Sequence, residues 1–229
     1  MRGQGVSRFG RVGWVVIGLG AALLAACASG KQSSEVKRLQ AKSAHERGVT
    51  DFLEGRLALA LPTIQEAIQL DPNVAEYHNS LGLLYLGLER LTDAVEEFKR
   101  AVELNPNFGE ARHNLGVAYA EQGEWQEAIR EYRATLNLTG YANLENTHHS
   151  LGWAYLNLGQ LREAEESFRV VLKLDPNRPA THYYLGFVLL KAGRPDEARE
   201  AFRRARELAQ DSPLGRSAQE QLKALGEGG

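Results

Sequence analysis

The sequence predicts an all-α fold, a right-handed superhelical solenoid of antiparallel helix pairs closed by a carboxy-terminal capping helix. Three observations carry this. A glycine recurs at Gly48, Gly82, Gly116, Gly152 and Gly186, at intervals of 34, 34, 36 and 34 residues, and the last four follow a leucine. Twelve residues after each glycine comes an alanine (Ala60, Ala94, Ala128, Ala164, Ala198), and then a large side chain at Ile64, Phe98, Tyr132, Phe168 or Phe202. Three of the units end in Asp71-Pro72-Asn73, Asn105-Pro106-Asn107 and Asp175-Pro176-Asn177. A fixed period of this length is the mark of stacked helix pairs, each touching only its neighbours.

The amino terminus comes before the repeats and is of a different kind. Arg2, Arg8 and Arg11 precede fifteen uncharged residues, 12–26, and the single cysteine, Cys27, follows Leu24-Ala25-Ala26. Spanning a membrane takes roughly 20 apolar residues, so this run is too short. The pattern resembles the lipobox of bacterial lipoproteins. That resemblance implies cleavage after Ala26, an S-diacylglycerol and N-acyl lipid on Cys27, and otherwise no cofactor. A plain secretory signal and an uncleaved anchor are the alternatives. Residues 1–26 then add nothing to the fold, and residues 27–40, small and polar with Ser29, Gly30, Ser33 and Ser34, read as a flexible tether.

Composition narrows the partners. Losing Arg2, Arg8 and Arg11 with the leader, and no acid, carries the formal charge from −2 to −5, which argues against nucleic acid. With Cys27 acylated no thiol remains for a disulfide or a zinc cluster.

Residues 41–210 hold five repeats, which we number from residues 41, 75, 109, 145 and 179. The period and residue pattern resemble the tetratricopeptide repeat. Glycine or alanine is required where the two helices approach closely, and Tyr85, Tyr119 and Tyr155 fill wider gaps. Pro72, Pro106 and Pro176 stop the second helices, and Pro195 suits a first helical position. In the first repeat Arg47 and Asp51 replace the core leucine and tyrosine, as befits an end with no earlier repeat. Residues 211–229 form the cap, in which Ser212-Pro213 opens a helix, Leu214, Ala218, Leu222 and Leu225 share a face, and Gly226 ends it.

Positions 4, 7, 8 and 11 of each first helix are the expected core stripe. Positions 5, 9 and 12 form a second stripe well over 90° away. In tetratricopeptide proteins that second stripe lines a concave groove. Position 9, usually polar in the family, reads Val49, Leu83, Val117, Trp153 and Phe187; position 12 reads Phe52, Leu86, Ala120, Leu156 and Leu190. Tyr183 joins them from position 5. A helix apolar on two faces needs two apolar neighbours, so the groove is expected to bind an apolar or amphipathic protein segment. Some aliphatic members also fit packing against the adjacent first helix; Trp153 and Phe187 are the better anchors.

No catalytic or metal site is expected. His45, His113 and His149 occupy position 5, and His78, His148 and His182 occupy position 4. Adjacent His148 and His149 point about 100° apart, and ligands from successive repeats lie about 8–10 Å apart, too far to share one ion. No nucleophile triad, glycine-rich phosphate loop or apolar carboxylate pair is evident, which excludes a small-molecule substrate. Asn114 lacks the cations needed to clamp a partner's terminal carboxylate.

Lipobox, tether and repeats together resemble the pilotin lipoproteins of type IV pilus biogenesis. The third repeat is two residues longer, with Thr139-Gly140-Tyr141-Ala142-Asn143 in place of the Asp-Pro-Asn turn, and that group carries a similar tyrosine-containing loop there. A tolerated surface insertion is the alternative. The group often has six repeats, against five here. The resemblance implies a protein on the periplasmic face of the outer membrane that binds secretin subunits and helps them assemble; Ala28 after Cys27 fits outer-membrane sorting. The alternative is a general periplasmic scaffold for peptidoglycan enzymes.

Overall fold

The computed structural model describes residues 10–227, with side chains from residue 32 onward. The expected leader and the side chain of Cys27 lie outside that range. Among the described residues all regular structure is helical, and no helix is long and apolar enough to cross a membrane. The chain divides into two compact units, one up to Asn73 and one from Val74.

In the first unit, α1 (Gly10–Leu53) pairs with α2 (Leu57–Leu70). Ala41, Ala44, Ala60, Ile64 and Ala67 are fully buried, and a Cβ on Gly48 would lie 2.6 Å from Ile64 Cγ1. The stretch expected as a flexible tether is instead helical, continuous with the first repeat. The cause is local. No glycine or proline occurs between Gly30 and Gly48, and Glu35, Lys37, Arg38, Leu39 and Gln40 are strong helix formers. Extending an existing helix backwards needs no new nucleus. Residues 32–40 are exposed, and Arg38 reaches Asp71 at 3.7 Å.

The second unit holds four helix pairs: α3 (Ala75–Gly87) with α4 (Leu91–Leu104), α5 (Gly109–Glu121) with α6 (Trp125–Leu136), α7 (Leu144–Asn157) with α8 (Leu161–Leu174), and α9 (Pro179–Lys191) with α10 (Pro195–Leu208). Within this unit α5, α7 and α9 each pack also on the preceding second helix and on the preceding first helix, the contact pattern of a solenoid. The recurring glycine and aromatic are partners. A Cβ on Gly82, Gly116, Gly152 or Gly186 would fall 2.6–2.8 Å from the ring of Phe98, Tyr132, Phe168 or Phe202. The Asn/Asp-Pro-Asn turns gain a second explanation, since Asn105 and Asp175 accept at Oδ1 from the amides of Asn107 and Asn177, at 3.2 and 3.0 Å.

The core stripe differs from expectation. In repeats two to five it runs through positions 3, 7, 8 and 10, whereas positions 4 and 11 are buried at His78, Tyr85 and Leu189 and half-exposed elsewhere. Polar Thr147 and Thr181 at position 3 are fully buried because each meets a histidine of the preceding repeat. The long turn after α6 is also more than an insertion. Tyr141 fills the notch left by Gly109, where a Cβ would lie 2.3 Å from its Cδ2, and its hydroxyl meets Thr147 Oγ1 at 3.2 Å.

Helix α11 (Pro213–Ala224) closes the unit. Ser212 Oγ accepts from the Gly215 amide at 3.1 Å, Ala218 and Leu222 are fully buried, and Gly226 takes φ +84° just beyond the end.

Candidate partner-binding groove

All eight expected groove residues of the second unit, Leu83, Leu86, Val117, Trp153, Leu156, Tyr183, Phe187 and Leu190, are half-buried. Of these, Val117, Trp153, Leu156, Tyr183, Phe187 and Leu190 pack in part against the repeat core. In the first unit, Val49 and Phe52 are half-buried as well. Ala120, at position 12 of the third repeat, is buried.

The two residues expected as anchors, Trp153 and Phe187, are held in place by other rings. Trp153 stands edge-on to Trp125 at 4.8 Å, and Phe187 stands edge-on to Tyr183 at 4.9 Å and to Phe202 at 5.3 Å. They are preorganised, so presenting them to a partner costs little ordering entropy. Trp125 escaped the sequence reading. It opens α6, and Leu57, Leu91 and Leu161 open α2, α4 and α8 at the same repeat position, so the period itself carried the signal. Leu91 joins Leu86 and Val117 around a cavity of about 490 Å³, rimmed by Glu89 and Glu121.

Glu89 is the one described non-glycine residue with positive φ, at 58°; Gly55, Gly123, Gly159 and Gly193 hold that place in the other repeats. A side chain in this region costs about 1 kcal/mol or somewhat more. Glu89→Gly is therefore expected to raise stability by about 1 kcal/mol, read as a higher urea midpoint at unchanged slope.

The position 5 histidines do not present a polar floor. Thr147 Oγ1 lies 3.1 Å from Asn143 O, to which it donates, so it accepts from Tyr141 and from Nδ1 of His113 at 2.9 Å. His149 Nδ1 meets Thr181 Oγ1, also at 2.9 Å, and Asn114 donates to Asn79 at 3.0 Å. These are ties between successive repeats. Among the described residues no group of three or more His, Cys, Asp or Glu is placed to hold a metal ion.

A sequence profile described as tetratricopeptide repeat matches residues 54–107, 79–143 and 149–213, well over half of the sequence. The chain belongs to the tetratricopeptide-repeat family. A search of curated proteins finds no match. Among solved structures, this tetratricopeptide chain is similar to PilF of Pseudomonas aeruginosa, with 21% identity, TM-score 0.67, and 84% of this chain and 95% of that one covered. It is similar to MamA from Desulfovibrio magneticus RS-1, with 24% identity, TM-score 0.69, and coverage of 76% and 98%. It is similar too to YrrB, described as a tetratricopeptide protein with an unusual peptide-binding site, with 21% identity, TM-score 0.66, and coverage of 77% and 90%. At these identities the likeness is one of fold.

The histidine ties make the tetratricopeptide stack sensitive to acid. Burial lowers His113 to about 4, and burial with the nearby Arg178 cation lowers His149 to about 4, from an ordinary 6.5. As pH falls the unfolded chain takes up these protons first. Stability from the two sites is therefore complete above about pH 6.5 and drains away toward about pH 4. The expected slope is up to about 1.4 kcal/mol per pH unit for each ring. Urea melts from pH 7 to 4.5 check this, and His113→Asn with His149→Asn should flatten the dependence.

Proposed function

We propose that the protein is a non-enzymatic lipoprotein, anchored through Cys27 at the periplasmic face of the outer membrane, whose groove binds secretin subunits and promotes their assembly in type IV pilus biogenesis. The observation that carries this reading is the half-open apolar row from Leu83 to Leu190, whose exposed sides lack a neighbour from their own stack. Its rings are preorganised, and Glu89 and Glu121 give the rim a sign, so the matching segment is apolar with basic flanks. The lipobox pattern supports the anchor. From Cys27 to Ala41, α1 would span roughly 20 Å at 1.5 Å per residue, and the anchored repeats would stand on a helical strut.

The fold shared with PilF agrees with this reading, and the comparable likeness to MamA and YrrB favours a second one, a general periplasmic adaptor for peptide segments of envelope enzymes. Affinity capture from detergent-solubilised envelopes, beside a deletion strain, separates the two. Recovery of a secretin, with loss of pilus pores in the deletion strain, supports the first. Recovery of cell-wall hydrolases with normal pili selects the second.

A further inference from the structure

The fourth repeat lacks a side-chain pair that its two predecessors have. In the second and third repeats the position 4 base is met by a glutamate of the partner helix: His78 Nδ1 lies 2.7 Å from Glu97 Oε2, and Arg112 donates to Glu131 at 2.9 Å. In the fourth repeat the corresponding residue is Ser167, whose hydroxyl donates instead to Glu163 O at 2.8 Å. The position 4 residue, His148, is left with a buried Nδ1 that has no hydrogen-bond partner. A buried polar atom of this kind costs about 1–3 kcal/mol until something satisfies it.

The missing pair coincides with a cavity of about 470 Å³ between α6, α7 and α8. Leu136, Tyr155 and Val170 give it apolar walls, Glu163 and Glu166 line it as well, and the neighbouring cations Arg169 and Arg194 pair with Glu165 instead. Arg133 lines the cavity from α6, so the lining carries two negative charges against one positive. Burial lowers the pKa of His148, which keeps its ring neutral near pH 7.

We propose that this notch is a docking site for a lysine or arginine side chain projecting from a protein partner. The aliphatic stem lies along the apolar walls, and the cationic head reaches the two carboxylates and, once the half-buried ring turns about its Cβ–Cγ bond to bring the atom out, Nδ1 of His148. Charge complementarity selects this occupant over an acidic or purely apolar one. On α7 the notch is centred roughly 140° round the helix from Trp153 and Leu156, so it is separate from the groove.

The test is an NMR titration of the intact folded protein, following the His148 ring nitrogens. The probes are blocked tripeptides with lysine, glutamate or norleucine between two alanines. The lysine peptide should give saturable shifts at a dissociation constant on the order of millimolar. Glu163→Gln with Glu166→Gln, both exposed and tolerant of change, should weaken it at least about tenfold, or 1.4 kcal/mol. His148→Phe, which keeps a ring in place, should weaken it about fivefold. Trp153→Glu should leave it unchanged, which keeps the notch distinguishable from the groove. Shifts of equal size with norleucine, stronger shifts with glutamate, or no saturation with lysine would each overturn the proposal.

Discussion

Phe168→Ala should lower the unfolding free energy of the second unit by about 3–5 kcal/mol, read from urea denaturation followed by circular dichroism. Phe168 is fully buried, its ring fills the space that Gly152 leaves, and it lies 5.5 Å from His149 and 6.2 Å from Tyr184 between centroids. Truncation therefore opens a cavity at the junction of the fourth and fifth repeats, where α7, α8 and α9 meet. In a solenoid each repeat is held by its neighbours, so the loss reaches α9 and α10 rather than staying at one residue. Phe168→Leu should cost about half as much or less, because a similar volume is kept. An equal loss for both would mean that the ring, and not the filled volume, holds the repeats together.

Trp153→Glu combined with Phe187→Glu should abolish partner capture, a fall of about a thousandfold in affinity if each residue is an anchor worth about 2 kcal/mol. Carboxylates at these positions would put charge where a desolvated apolar partner must lie. The folded state should survive with a smaller loss of about 1–3 kcal/mol, since each ring also packs edge-on against its own repeat. Leu190→Glu, at the open edge of the row, gives a milder control. A helical spectrum like that of the wild type, together with lost capture, assigns the effect to the surface.

The sequence made the repeats legible because close packing needs both partners of a pair. Gly82 against Phe98 and Gly186 against Phe202 are fixed by one contact, and so both recur at one period. Trp153 and Phe187 stand out in the sequence for the opposite reason, since they fall where the repeat itself does not ask for large apolar groups, and the structure leaves both half-buried. What stayed hidden depended on contacts across repeats or on propagation. Residues 32–40 look polar and loose, yet they are helical because a helix already begins at their carboxy-terminal end. Nothing in the sequence marks Thr147 and Thr181 for burial, and only the contacts with His113 and His149 explain it. Tyr141 looked like part of an inserted loop, and only the space above Gly109 shows it as a wedge. Trp125 was visible as a repeat position and was overlooked because it opens a second helix rather than a first.

On the proposed function the row from Leu83 to Leu190, and not the opposite face, holds the secretin. The most direct measurement places a photo-crosslinking amino acid at Leu156 or Leu190 and, separately, at exposed Glu200 on α10, and irradiates intact cells. The account predicts a crosslink to a secretin subunit from Leu156 and Leu190 and none from Glu200. Crosslinks to secretin from Glu200 alone, or from none of the three, would contradict it.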